Sequence, residues 1–305
     1  MSSIQPAGRQ RDRKRQRQRM SGILASMIDG LLVGSVYGLA AMGLSLIWGV
    51  MDVINLTHGS MIALGMFGMY VLFAAVHTNA YFLLIPLIIG GFLLGIVVYW
   101  MSVHWVVGRA QLMSLLSTFA VNMMVIGIGT AIWSTSPYNV DFSVPGITVG
   151  AYTFTGNHIA AAISAIVIAL ALEWFLYRTR PGKAIRAVAD NREAAELMGI
   201  SSVAVLAIAF GIGISLAIAS GALVSTLFPF TILSGAAYQM KSFVVTVLAG
   251  LGKPFGALVA GILLGLLEGA VTPFIAVSWI PLIEFGLFVV VLVAFPKGIF
   301  ARATA

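Results

Sequence analysis

The sequence predicts an all-α, polytopic helical membrane protein with about eight transmembrane helices, some of them broken or re-entrant. Three observations predict it. Of 305 residues, 60% are hydrophobic and 9% charged, whereas soluble domains are ~25% charged. Mean hydropathy is +1.03. The apolar residues also fall in continuous runs near the ~20 residues a helix needs to cross a ~30 Å hydrocarbon core. So few charges cannot cover the surface of a soluble domain, which excludes a soluble enzyme, a disordered chain and a nucleic-acid-binding module. A transmembrane barrel would alternate in ~10-residue segments instead. The absence of cysteine excludes disulfides and Cys-ligated metal sites.

The chain opens on a basic stretch. Arg9, Arg11, Arg13, Lys14, Arg15, Arg17 and Arg19 face only Asp12 there, so the tail carries most of the net charge of +7. Residues 1–21 read as a disordered cytoplasmic tail that helps set orientation; contact with anionic lipid is the other use of such a run. Residues 22–302 read as a single transmembrane domain. Its apolar segments lie at about 22–50, 56–76, 81–107, 112–133, 158–177, 203–228, 242–252, 256–276 and 280–296. The seventh is short, and crosses only if it extends back through Ser234–Lys241.

Two loops fix the sidedness. Residues 178–202 carry Arg178, Arg180, Lys183, Arg186 and Arg192, so the positive-inside rule makes them cytoplasmic. Residues 134–157 contain no Lys or Arg and form the external loop; Ile147–Phe154 partly alternates, as a short hairpin does. Five crossings before the cytoplasmic loop would put the N-terminus outside, against the basic tail. A first segment broken at its glycines and not crossing resolves this with eight crossings. The alternative is nine crossings, with translation starting at Met20 and the N-terminus outside. Gly30, Gly34 and Gly38 share one helical face, as do Gly261, Gly265 and Gly269, and such faces let helices approach closely in lipid.

Chemistry-bearing motifs are scarce. Gly182-Lys183-Ala184 and Gly252-Lys253-Pro254 lack the upstream Gly and the hydroxyl residue of a P-loop. His58, His77, His104 and His158 are too scattered for metal-ligand spacing. No nucleophile elbow occurs. The reading is a non-enzyme that binds no metal and no cofactor of its own. What remains is polarity inside apolar segments. Asp52, Asn55, Thr57 and His58 cluster between the first two segments, either as non-helical backbone lining a cavity or as a satisfied turn at the membrane surface. Ser117, Thr118 and Asn122 lie on one helix, as interhelical glue or as a solute path. Glu268 and Glu284 are single acids in apolar runs, the kind of group an ion-coupled carrier uses.

In the cytoplasmic loop, Asp190 with Glu193 three residues on is a helix start signal, and Gly199 is a stop signal. Between them lies a helix of about two turns. Its apolar residues Ala194, Ala195, Leu197 and Met198 ask for a partner groove or for the chain's own membrane helices.

This loop resembles the EAA-type coupling segment of permease subunits of ATP-binding-cassette (ABC) importers, and residues 22–302 resemble the branched-chain amino-acid (Liv-type) permease family. The blocks run in the same order: Gly30–Leu39; Gly49 to Gly59, similar to I-N-F-A-H-G; Arg186–Ala195 with Leu197-Met198-Gly199-Ile200; Gly250–Ala257; and Phe295-Pro296-Lys297-Gly298-Ile299-Phe300. Leu56-Thr57 stands where Phe-Ala is usual, and Gly252-Lys253-Pro254 replaces a more Gly/Ser-rich turn. The resemblance implies an ABC importer permease fold in a bacterial inner membrane. It implies a second permease subunit, as homodimer or heterodimer, two cytoplasmic ATPase subunits that use the ATP, and an extracytoplasmic substrate-binding protein. Asp190, Glu193, Ala194, Ala195, Leu197, Met198 and Gly199 would couple to the ATPases. Branched-chain amino acids are the default solute. An ion-coupled secondary carrier working through Glu268, Glu284 or Asp52, and an unenergised channel or scaffold, are the competing readings.

Overall fold

A computed structural model describes residues 7–149, 152–294 and 298, with side chains at all of these except 7–21, 149, 152 and 277. Helix α1 (Ala7–Met51) leads into α2 (His58–Val76), α3 (Leu84–Met101) and α4 (Gln111–Trp133). A hairpin of β1 (Ile147–Val149) and β2 (Tyr152–Phe154) follows, antiparallel with Thr148 opposite Thr153. Then come α5 (Gly156–Arg178), α6 (Arg180–Asp190), α7 (Arg192–Leu197), α8 (Ser202–Ser225), α9 (Ser234–Ala249), α10 (Pro254–Val271) and α11 (Ile280–Ala294).

Among the described residues, seven segments are long and apolar enough to cross a membrane: Gly22–Met51, His58–Val76, Leu84–Trp105, Gln111–Trp133, Gly156–Arg178, Ser202–Ser225 and Pro254–Val271. The chain is a multi-pass helical membrane protein. Helices α9 and α11 are shorter, at 16 and 15 residues. As the sequence requires for a crossing, α9 does extend back to Ser234.

The first helix corrects the expectation of a broken, non-crossing segment. It is continuous to Met51, and its glycines serve close approach instead of a break. A Cβ added to Gly30 would lie 2.2 Å from the Gly265 carbonyl oxygen, and one on Gly261 2.3 Å from the Gly38 Cα. The two small-residue faces seen in the sequence are therefore one antiparallel seam between α1 and α10. In lipid, helices associate through van der Waals contact more than through burial from water, so backbone-to-backbone proximity is the main attraction available.

A second contact relates α1 to α5. Asp29, near the start of the apolar part of α1, bonds His158 at the start of α5, so these two apolar stretches begin at the same end of the bundle. Helix α5 ends at the 178–202 loop, and the apolar part of α1 therefore begins at the end opposite that loop. The first segment is thus a continuous helix sharing an end with α5, where the eight-crossing reading expects a break. The backbone is helical back to Ala7, where the sequence suggests disorder; Arg, Lys and Gln are good helix formers.

Helix α8 is the hub, buried over most of its length. It is crossed closely by α2, where a Cβ on Gly65 would meet the Ile218 carbonyl oxygen at 2.1 Å, and by α3 at Gly95 and Gly211. Helix α4 is peripheral and exposes Leu112, Leu116, Phe119, Ile128 and Ile132. At the outer end Phe67 stacks on Trp133 at 4.5 Å and meets Phe230 edge-on, and Tyr138 and Phe230 exchange both main-chain hydrogen bonds. Of the Phe295–Phe300 block, only Gly298 lies within the described residues.

Candidate functional site

The 178–202 loop is more helical than its sequence suggests. Thr179 caps α6, its Oγ1 accepting from the Gly182 amide at 3.1 Å, with Pro181 in the first turn. Ile185 and Val188 bury one face of α6. Arg186 Nε donates to the Leu176 carbonyl at 3.1 Å, and the guanidinium lies 4.2 Å from the centre of the Tyr177 ring. These bonds tie the loop to the cytoplasmic end of α5.

Asp190 closes α6 and does not start the next helix, which corrects its expected capping role. Asn191 takes that role: its Oδ1 accepts from the Ala194 amide at 2.9 Å. Asp190 is itself the last residue of α6, so it is helical and not free to serve as the N-cap of α7. Gly199 does end α7, with φ +81°. The Gly199 amide donates to the Glu196 carbonyl and the Ile200 amide to the Ala195 carbonyl, the two bonds of a Schellman motif. Arg192 and Ser202 both bond the Glu196 carboxylate. The Ser202 hydroxyl first, and Arg192 next, hold that carboxyl below the usual carboxylate range.

The apolar residues of α7 divide. Ala195 is buried against its own chain, while Leu197 is 88% exposed and Met198 83% exposed. Ala194, Glu193 and Gly199 are exposed too. A short helix pinned at both ends thus presents two large apolar side chains to the aqueous side.

The second region is the turn between α1 and α2. Asp52 ends α1 with φ +51° and stays exposed. The chain then runs back along α1, for His58 Nε2 lies 2.9 Å from the Ala40 carbonyl oxygen. Ala40 is eleven residues before Met51, about 16 Å along the helix at 1.5 Å per residue. Residues 53–57 are therefore non-helical backbone at membrane depth, enclosed in protein. Asn55, Thr57 and His58 are buried. Thr118 supports the turn: its Oγ1 accepts from the Leu56 amide at 3.2 Å, and its carbonyl accepts from Thr57 Oγ1 at 3.0 Å. Gln239 of α9 closes the other side, accepting from the Gly59 amide and donating to the Asn55 carbonyl at 3.2 Å. Among the described residues, Asn55 Nδ2 and His58 Nδ1 have no hydrogen-bond partner. Ser117 instead bonds Ser102 at 2.8 Å, joining α4 to the end of α3. Among the described residues Asn122 makes no hydrogen bond to the turn, and Asp52 lies outside the enclosed part.

Sequence reasoning left Lys241 unexplained and passed over Asp29, Tyr37, Tyr238 and Gln239. Lys241 Nζ donates to both Glu268 and Glu284. The rule that singled out the two glutamates, that a charge in an apolar run needs a partner, would have found Lys241 and Asp29 as well.

Comparison with known proteins agrees with this architecture. The family model described as "Branched-chain amino acid transport system / permease component" matches residues 26–293. The high-affinity branched-chain amino acid transport system permease protein LivH of Salmonella typhimurium is 26% identical over 92% of this chain and 96% of the relative. LivH of Escherichia coli and the permease protein BraD of Pseudomonas aeruginosa match at the same identity and coverage. The sequence is thus matched over nearly its whole length, and the chain belongs to the family of permease components of branched-chain amino acid transport systems.

Proposed function

We propose that this chain is the transmembrane subunit of an ATP-driven ABC importer for branched-chain amino acids or related small polar solutes, in a bacterial inner membrane. It catalyses no covalent step and binds no nucleotide or cofactor; the ATP is used by two cytoplasmic ATPase subunits. A second permease subunit, a copy of this chain or a sister, completes the path. An extracytoplasmic binding protein delivers solute at the 134–157 loop.

The observation that carries this reading is the exposure of Leu197 and Met198 on a helix fixed at both ends. Two large apolar side chains facing water suit a groove on a cytoplasmic partner. The caps and the Arg186 contacts make α6 and α7 a stiff lever on α5, so movement of a docked ATPase reaches the membrane helices as a rigid-body shift. The path runs beside the 52–58 turn, where Asn55, Thr57, His58 and Thr118 supply polarity. The spare hydrogen-bonding capacity of Asn55 and His58 supports that placement. The ion-coupled alternative is weakened because Glu268 and Glu284 are both engaged by Lys241.

The test is the double variant Leu197→Glu, Met198→Glu, reconstituted with its ATPases and binding protein in liposomes. Uptake should fall at least tenfold while elution profile and melting temperature stay unchanged. Normal ATP-driven uptake by the variant sinks the coupling claim. Uptake by the purified chain alone under an imposed ion gradient would favour the secondary carrier.

A further inference from the structure

A cavity of about 570 Å³ lies at the end of the bundle that carries the 178–202 loop, between the ends of α1 and α5, helix α6 and the start of α10. This is within the ~300–1,000 Å³ range of small-molecule sites. Its depth is marked by Trp174 and Tyr177 near the end of α5, both exposed, since amphipathic aromatic rings collect where hydrocarbon meets headgroups. Helix α1 packs against both α5 and α10, which barely touch each other, so the cavity lies over α1 between them. Leu46, Leu176 and Val259 give it an apolar floor. Two cations, Arg186 and Lys253, and two anions, Glu173 and Asp190, line it. Arg186 acts on Glu173, and these two offset each other. The remaining charges stand on different helices. Helix α10, 18 residues long, opens behind Lys253 with no side-chain cap, so the positive end of a helix dipole and an ammonium share one wall. Helix α6 closes on Asp190 with no basic residue in its last turn. Arg186, one turn earlier, is turned to Tyr177 and the Leu176 carbonyl instead, and Asp190 makes no ion pair among the described residues. A carboxylate thus sits at the negative end of a helix, a position that favours a cation beside it.

We propose that this cavity holds one phospholipid of the adjoining leaflet whose headgroup carries a phosphate and a primary ammonium, as in phosphatidylethanolamine. The phosphate faces Lys253 and the first turn of α10, since helix N-termini favour phosphate. The ammonium faces Asp190, and an acyl chain follows the apolar floor over α1. A purely anionic headgroup supplies the phosphate alone and leaves Asp190 without a cation. A trimethylated headgroup keeps the positive charge and loses the N–H donors. A lipid held by both α6 and α10 ties the segment that carries α7 to the seam between α1 and α10. The proposal goes beyond the importer reading and does not depend on it.

The experiment is native mass spectrometry of the full, delipidated chain with equal amounts of phosphatidylethanolamine, phosphatidylcholine and phosphatidylglycerol bearing the same acyl chains. Phosphatidylethanolamine should fill the first site about fivefold better than either competitor, the upper end for one partly exposed ion pair. This ranking is read on wild type and needs no variant to fold. Asp190→Asn should remove the preference, and Arg180→Gln, outside the cavity lining, should keep it. O-phosphoethanolamine, the headgroup without its chains, tests for a soluble phosphate ester as the occupant and should leave lipid occupancy unchanged at equal concentration. Equal occupancy by the three lipids, an unaltered preference in a folded Asp190→Asn, loss of the preference in Arg180→Gln, or displacement by O-phosphoethanolamine overturns the proposal.

Discussion

A Cβ placed on Gly34 would fall 2.7 Å from the carbonyl oxygen of Gly261 on the facing helix. Nothing flexible stands there to yield, since the obstacle is backbone. Gly34→Ala and Gly265→Ala should each force α1 and α10 apart. Overpacking typically costs ~1–3 kcal/mol, and a backbone obstacle puts these variants at the upper end. Gly90→Ala, with open space around it, is the control and should match or slightly exceed wild-type stability. Melting in detergent, followed by fluorescence-detected gel filtration, checks the ranking; equal melting temperatures for Gly34→Ala and Gly90→Ala would refute the seam.

The cap of α7 gives a second prediction. Asn191 accepts the Ala194 amide at 2.9 Å, and replacing such a cap by alanine costs about 1 kcal/mol. A six-residue helix has little else to hold its first turn. Asn191→Ala should raise amide exchange across α7 about fivefold, and Asn191→Asp should restore protection. Asp190→Ala should have little effect on α7. If Asp190→Ala frays α7 and Asn191→Ala does not, the start signal belongs to Asp190 after all.

The contrast between those two residues shows what the sequence makes legible. Composition and run length suffice for the helical membrane class, because they report on solvent. The glycine spacing at residues 30, 34, 38, 261, 265 and 269 reveals two smooth faces, although only the fold shows that each is the other's partner. The basic residues around α6 mask it, although Ile185 and Val188 at three-residue spacing, with Ala184 and Ala187, mark one face that packs on the core. That omission moved the cap from Asn191 to Asp190. The 52–58 cluster is visible as polarity, but its depth depends on a contact between His58 and Ala40. Lys241 pairs with acids 27 and 43 residues along the chain, a separation no local pattern encodes.

Protonation should loosen the junction between α7 and α8. The Glu196 carboxyl is held below its ordinary value by the Ser202 hydroxyl and by Arg192. A depressed folded pKa means that the contribution is present above the unfolded carboxylate pKa, ~4.3 for glutamate, and fades as pH falls through the folded value. The sign is thus acid-labile order in α7. Exchange protection of α7 should drop on acidification below about pH 4. Ser202→Ala should shift that drop to higher pH by removing the larger of the two causes. A midpoint unmoved by Ser202→Ala would show that the hydroxyl does not govern the titration.

Thr118 holds the intramembrane turn from both of its polar ends, so its side chain and its backbone can be separated experimentally. Its hydroxyl accepts from the Leu56 amide and donates back into the segment, where the Ser114 and Ile54 carbonyls lie at 2.9 and 3.0 Å. Thr118→Val keeps the shape and the carbonyl that binds Thr57, yet leaves the Leu56 amide unsatisfied at membrane depth. An orphaned donor shielded from water costs ~1–3 kcal/mol. Thr118→Ser retains the hydroxyl and should lose only the methyl contact. Thr118→Val should therefore melt below Thr118→Ser in the same detergent. Because the turn abuts Gln239 on α9, Thr118→Val should also slow ATP-driven uptake more than it lowers ATPase activity. The opposite order of stability would mean that the turn is held by shape and not by the hydroxyl.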